Sequence, residues 1–533
     1  MLFKRMLLWL SGLFTFAMAA PLLAVAFFGL RAWSDPSALL FTAQTVLPGY
    51  LLNSLLLCLG ALFVALLLAV PSAWFTSQYR VPCAGLMQWL GILPLALPAY
   101  VVAYAYTDAL DYSGWLSTWA RNLFFSHTVG RQPWPEIRSL WGACFVLGVS
   151  LSPYITLILR AAFEERQQSL LEAGRSLGLS SRAAFFRVVF PVARPAVVAG
   201  GALVVMECLA DYGTVSFFSV QTLSAGLFKT WFGYGDRDAA AFLALAMLLI
   251  ALGLLAWERK ARGRAGFASR GQTEAKRQPL LGWARLWVPL VCSIGGVLGF
   301  VIPMLLLLRA AWASQADISW PSLWAQASQT ALLGVYALAI ILPASAFLAY
   351  SVRLSARGTM TAVVRVASSG YAVPGLVVAI GLLSVSAVFT SVLDVILDWR
   401  FTLTTTLALV LGGYLTRFFT VGFSSLESSL GRITPNLDWA ARGLGLHTGE
   451  VLFRVHLPLL RRGTMVAALL VFVDVVKELP VTLALRPLDM QTLAIGAYQF
   501  AADERLAEAA WPSLGIAVVG LMPLLLLGPR ARL

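Results

Sequence analysis

The sequence predicts an all-α integral membrane protein, with about twelve transmembrane helices in two parallel six-helix repeats. Three observations carry that expectation. The 533 residues are 59% hydrophobic and only 12% charged, about half the charge of an ordinary soluble chain. Mean hydropathy is +0.80, more apolar surface than soluble packing can hide. A polar segment also occurs twice, in the middle of each half: EAGRSLGLSSRAAFFRVVFP from Glu172 to Pro191, and WAARGLGLHTGEVLFRVHLP from Trp439 to Pro458.

Apolar runs of bilayer length, about 20 residues, fall near 7–30, 47–76, 85–110, 139–160, 192–212 and 239–257 in the first half. Six more fall near 283–309, 328–350, 361–386, 401–423, 463–486 and 511–528. The first run has a basic start and Ala-x-Ala at Ala17 and Ala19, the marks of a signal peptide. It continues to Leu30, so it reads as an uncleaved span. The basic stretch 258–282 reads as a cytoplasmic linker. It separates a first repeat, 1–257, from a second, 283–533.

The repeat relation is explicit in the residues. Gly178 and Gly445 stand 267 positions apart, and so do Pro191 and Pro458, Arg175 and Arg442, Phe186 and Phe453, and Arg187 and Arg454. QTLSAGLF from Gln221 matches QTLAIGAY from Gln491, and LPAYVVAYA from Leu97 matches VPGLVVAIG from Val373. Six spans per repeat give both repeats the same orientation, with a pseudo-twofold axis along the membrane normal.

The formal charge of +14 does not point to nucleic acid, because the basic residues lie in short loops between apolar runs. With both termini cytoplasmic, roughly 28 of the 39 basic residues fall inside and about 10 outside. The 39th is Lys477, within a span. The outside loop from Asp111 to Arg138, rich in Trp and Pro, suits an interface or a docking surface. The five cysteines form no CxxC pair, so neither a disulfide framework nor a zinc site is indicated. His127, His447 and His456 form no metal site, and surface or docking roles suit them. No nucleophile–base constellation occurs, which argues against an enzyme.

Each polar segment reads as a helix end turning at glycine, then a short amphipathic helix. In the first copy Ser180 or Ser181 caps that helix and Pro191 ends it. The second copy of the short helix runs from about Thr448 to Leu457. Residue chemistry alone leaves two uses open, a helix lying on lipid headgroups or a docking element. Duplication favours docking of a twofold-symmetric soluble partner.

Ionisable groups within spans default to functional hypotheses. Glu207 and Asp211 lie four apart in the fifth span. Asp474 and Glu478 lie at the matching places in the eleventh. Such duplicated acids can line a path for a cation, and a hard cation prefers oxygen ligands. The alternative is structural: Lys477 neutralises Asp474, or the acids sit wetted near the outer end. Tyr100, Tyr104, Tyr106 and Asp108 are further candidate oxygen ligands, with packing or the interfacial belt as the alternative.

The segment at Glu172 resembles the EAA loop of ABC-importer permeases. Glu172, Ala173, Gly178 and Pro191 stand at that pattern's positions, with Gly174 replacing the second Ala. In the second copy Ala440, Ala441, Gly445 and Pro458 match. The acidic position does not, being Trp439 with Asp438 one residue earlier. The resemblance covers essentially the whole chain and is strongest to fused, two-repeat permeases of ferric-iron importers. LPLALPAYVVAYAY from Leu93, LADYGTVSFF from Leu209 and VDVVKELPVTLALRP from Val473 are similar to that subfamily.

The resemblance implies a type I ABC-importer permease fold in the bacterial inner membrane. Its two loops act as coupling helices for two copies of a cytoplasmic ATP-binding subunit. It also implies a periplasmic substrate-binding protein, surrounding lipid, and alternating access with no stably bound metal. No lysine follows a glycine, so the chain has no phosphate-binding Gly-Lys-Ser/Thr. ATP and Mg are therefore expected on the partner, and this chain is expected to hold no cofactor. Related fused permeases carry thiamine, phosphonate or other small solutes, which keeps those cargoes open. From another class, an ion-gradient-driven secondary transporter also uses duplicated bundles.

Overall fold

The computed structural model describes residues 2–34, 36–124, 134–263, 277–316, 318–355, 359–398, 403–404 and 406–527. The basic tail at Arg530 and Arg532, His127, and the linker stretch 264–276 lie outside the described residues. Helices dominate, and among the described residues the one sheet is a short parallel pairing of Tyr79–Arg80 with Gln278–Pro279.

Ten described helices are long and apolar enough to cross a membrane, and a bent pair makes up to eleven. Two differences from the expected twelve have physical reasons. The third span is broken: Ala84–Ala96 and Ala99–Leu123 meet at 94°. Pro98 removes a backbone donor and holds Leu97 in an extended conformation. Pro374 starts the Gly375–Leu397 helix in the same way, so the expected ninth span at 361–386 is also interrupted, after Tyr371. The eleventh span is helical over Leu457–Lys477. Arg461, Arg462, Asp474 and Lys477 make it too charged to rank as an apolar span.

Compactness divides the chain into two units. One contains Met1–Thr42, Leu227–Leu252 and Trp320–Gly496; the other contains Ala43–Gly226, Gly253–Ser319 and Ala497–Leu533. In the second of these, the Leu47–Gln78 helix lies along Leu140–Ser176. Its contact face is a ladder of fully buried alanines, Ala61, Ala65, Ala69 and Ala73. A Cβ on Gly148 would stand 2.6 Å from Val64 Cβ and 2.8 Å from the Ala61 carbonyl. Small residues let the backbones approach closely, which is how helices gain packing energy in lipid. The other unit builds its core from Trp320–Leu354 against Leu407–Gly431. There the N-terminal helix Leu2–Arg31 packs on Gly375–Leu397. Gly381 lies directly against the Pro21 backbone, where a side chain would collide.

Candidate functional site

Each polar loop is built by the same backbone device. Gly178 has φ +81° and Gly445 φ +87°, a left-handed conformation that costs other residues about 1–2 kcal/mol. The Leu179 N–H donates to the Gly174 carbonyl at 3.0 Å, and the Leu446 N–H to the Ala441 carbonyl at 3.2 Å. Both are the six-residue closure that ends a helix at a glycine. The short helix then starts with its own cap. Ser180, rather than Ser181, fills that role in the first copy: its Oγ accepts from the Ala183 N–H at 3.3 Å. In the second copy Glu450 reaches back to the His447 N–H at 2.9 Å, one half of a capping box.

The expectation that Pro191 ends the short helix is corrected. Ser181–Ala184, the wide turn Phe185–Val189 and Phe190–Ala210 follow one another without interruption. Thr448–Val451, Leu452–His456 and Leu457–Lys477 do the same. A proline two residues past each wide turn explains it. The i→i+5 turn moves the carbonyl that would clash with the proline ring, so the helix continues through it. Short helix and span form one rod in each copy.

The surfaces of the two copies match residue for residue. Gly174 and Ala441, Ala184 and Val451, and Val189 and His456 are buried. The tips are exposed and apolar: Leu177 is 83% and Leu444 84% exposed, Phe186 67% and Phe453 69%. Arg187 and Arg454 flank them, also exposed. Glu172 and Ala173 lie in the last turns of the Leu140–Ser176 helix, and their side chains lie outside the described residues. Ala440 is exposed, and Pro191 and Pro458 open the spans that follow.

The copies differ in what holds them. Phe185 of the first packs edge-on against Trp74, with ring centroids 4.4 Å apart, and Trp74 packs in turn on Phe163. The second uses charge. Arg353 donates to Asp438 at 3.0 and 3.2 Å and to the carbonyls of Leu430 and Ile433. His456 Nε2 is 2.7 Å from Asp438. His456 is 1% exposed, which corrects the surface role expected from its place in a loop. Burial alone would raise the Asp438 carboxyl, but Arg353 and His456 together hold it below the usual range.

The membrane acids sit at breaks. Asp211 and Glu478 each lie one residue beyond a helix, with extended ψ of 130° and 116°. Neither therefore continues the helical face of its partner four residues earlier. Asp211 accepts from the Thr214 and Val215 N–H groups and from Thr214 Oγ1 at 3.0–3.2 Å. It thereby caps the helix Gly213–Phe217. Glu478 accepts from the Val481 N–H at 3.0 Å and from Arg417 at 2.8 Å. Arg417 was legible as a second intramembrane cation beside Lys477 and was missed. Glu207 and Asp474 are half-buried, and Lys477 is within electrostatic reach of Asp474. Glu207 and Asp211 belong to one compact unit, Asp474 and Glu478 to the other.

Of the third-span candidates, Tyr106 donates to the Leu298 carbonyl at 2.6 Å, and Asp108 lies 3.6 Å from Arg309. Tyr100 and Tyr104 are buried, with ring centroids 5.7 Å apart. Among the described residues no group of three or more His, Cys, Asp or Glu is placed to hold a metal ion.

Comparison with known proteins agrees with this architecture. Residues 1–257 match the family described as binding-protein-dependent transport system inner membrane component. The chain is 23% identical over 484 residues to an Fe(3+)-transport system permease protein of Haemophilus influenzae, covering 89% of this chain and 88% of that one. It is 27% identical over 227 residues to a Salmonella choleraesuis protein named for 2-aminoethylphosphonate transport, covering 42% and 77%. It is 26% identical over 189 residues to the sulfate transport system permease protein of Escherichia coli, covering 34% and 65%. The family match over the first 257 residues, with the likeness to a transport permease along 89% of the chain, makes this chain similar to the permeases of ABC importers.

Proposed function

We propose that this permease moves ferric iron from a periplasmic binding protein into the cytoplasm by alternating access. Two copies of an ATP-binding subunit drive it, one docked on each polar loop. ATP and Mg reside on those subunits. The chain lies in the bacterial inner membrane with both termini cytoplasmic, an orientation that the distribution of basic residues supports.

The observation that carries the coupling role is the paired apolar tip, Leu177 with Phe186 and Leu444 with Phe453, exposed to the same degree in both copies. Exposed aromatic and aliphatic side chains beside a cation suit a protein groove. Each tip is the end of a rod that becomes a span, so a push on the loop moves the span. Ferric cargo rests on the likeness along most of the chain to a protein named for Fe(3+) transport. Shorter likenesses to proteins named for 2-aminoethylphosphonate and sulfate transport favour a second reading, import of a small oxyanion.

Uptake in cells with the gene deleted and then restored separates the two. Loss of iron uptake alone supports ferric cargo. Normal iron uptake with loss of phosphonate, sulfate or thiamine uptake keeps the permease and overturns the iron.

A further inference from the structure

A group of hydroxyls in one unit is replaced by apolar side chains at the matching positions of the other. Tyr212 Oη and Ser216 Oγ each lie 3.2 Å from Tyr498 Oη. Tyr104 packs edge-on against Phe217 at 4.7 Å and beside Tyr100 at 5.7 Å. Its ring is fully buried, and its Oη has no hydrogen-bond partner. Asp211, Tyr212 and Tyr498 are all within its electrostatic reach. Leaving a buried hydroxyl unpaired is unfavourable, so an orphan within reach of other hydroxyls needs a reason.

Packing does not supply one. By the repeat correspondence, Tyr100 and Tyr104 match Leu376 and Ile380, Tyr212 and Ser216 match Leu479 and Leu483, and Tyr498 matches Phe228. These five all lie in the other unit. Each shares the burial class of its counterpart. At these five positions the fold therefore accepts aliphatic and phenyl side chains, and the other unit places a single hydroxyl pair, Tyr414 with Thr482, near its acid instead. The acid at the centre is retained, as Asp211 in one unit and Glu478 in the other. Glu478, however, is neutralised by Arg417, whereas Asp211 accepts from the neutral groups of Thr214 and Val215. Arg138 is a neighbouring cation, its guanidinium 5.0 Å from the Phe217 ring. It is already held by Asp111 and Glu504.

We propose that Tyr104, Tyr212, Tyr498 and Ser216, with Asp211, form an oxygen-donor transit site for a hard trivalent cation, carried by one of the two compact units only. The proposal rests on the ferric reading above. Hard cations take oxygen ligands. The net negative surroundings select a cation over an anion. A phenol that binds the ion gives its proton to water, and the orphaned Tyr104 hydroxyl gains the partner it lacks. Passage then needs no residue from the charged Glu478–Arg417 pair.

The test combines Tyr104→Phe, Tyr212→Phe and Tyr498→Phe. Phe228 in the Tyr498 place shows that the fold accepts the change. Radioiron uptake from ferric citrate should fall about tenfold or more, the lower end of what ligand-shell changes cost. Membrane abundance should be unchanged. The solubilised wild-type chain given ferric citrate should show a phenolate-to-iron charge-transfer band that the triple variant loses. Wild-type uptake by the triple variant, or a band that survives it, would overturn the site and leave ferric transport standing. Wild-type membranes that take up no iron would overturn the ferric reading and this site with it.

Discussion

Arg353 grips Asp438 through two of its nitrogens, at 3.0 and 3.2 Å, and turns the acid of the second loop inward. The residue at the EAA acidic position itself, Trp439, is exposed. The second loop thus spends its nearby carboxylate on its own architecture and presents apolar side chains outward. Asp438→Asn should leave Arg353 without its counter-charge and His456 without its carboxylate partner. A hydrogen bond to a charged group contributes about 1.5–3 kcal/mol. Amide exchange across residues 435–456 should therefore quicken, with residues 174–190 unaffected. Equal protection of the second loop in variant and parent would show that the pair is not what holds it.

The same pair makes the second loop sensitive to acid. The Asp438 carboxyl is lower in the folded chain than in the unfolded one, so its stabilisation is complete above the ordinary carboxylate range. It is lost as pH falls through the folded value. Exchange in the second loop should accelerate in acid before exchange in the first, which the Trp74–Phe185 stack holds. Simultaneous loosening of both loops would contradict this.

Gly178 and Gly445 are predicted to be equivalent. An alanine at either must adopt the left-handed backbone, at about 1–2 kcal/mol, while no neighbour lies within 4 Å to clash with it. Gly178→Ala and Gly445→Ala should each lower ATP-driven transport modestly. Gly178→Pro, whose ring forbids φ +81°, should uncouple transport while the chain remains in the membrane. Normal ATP-driven uptake by Gly178→Pro would remove the coupling role from the first loop.

Phe186→Asp and Phe453→Asp place a charge at each exposed tip without touching a core. Both should abolish co-purification of the ATP-binding subunit when combined, and weaken it singly. Retention of the subunit by the double variant would assign these tips to the lipid surface instead.

Glu478 and Arg417 form a pair in which both side chains are largely buried. Removing one partner of a buried pair typically costs about 3–5 kcal/mol. Arg417→Met should therefore lower thermal stability sharply, and adding Glu478→Gln should recover part of it. Glu207→Gln removes the charge and keeps the size of the side chain, so it tests the path. Unchanged flux in that variant would remove Glu207 from the translocation path.

Much of this was legible because lipid leaves few options. Length and hydropathy place the helices, and repeated glycines and prolines locate the loops. What escaped was local. The break at Pro98 hides in a continuous apolar run, because hydropathy does not register a missing backbone donor. The continuity through Pro191 and Pro458 depends on a wide turn that leaves no mark in composition. The acids at 211 and 478 looked like helix-face residues at i, i+4 spacing. Each instead ends its helix and uses its carboxylate on the next one. Arg417 carried its signal openly, as a cation inside a span. The Asp438–His456 contact joins residues whose proximity only the folded loop creates.

The most direct measurement is radioiron uptake into proteoliposomes holding this chain with its ATP-binding and periplasmic partners. Uptake should require ATP and both partners, and should vanish in the Phe186→Asp/Phe453→Asp variant reconstituted at equal density. Iron uptake driven by an ion gradient, with the ATP-binding subunit absent, would contradict the account and make this chain a secondary transporter.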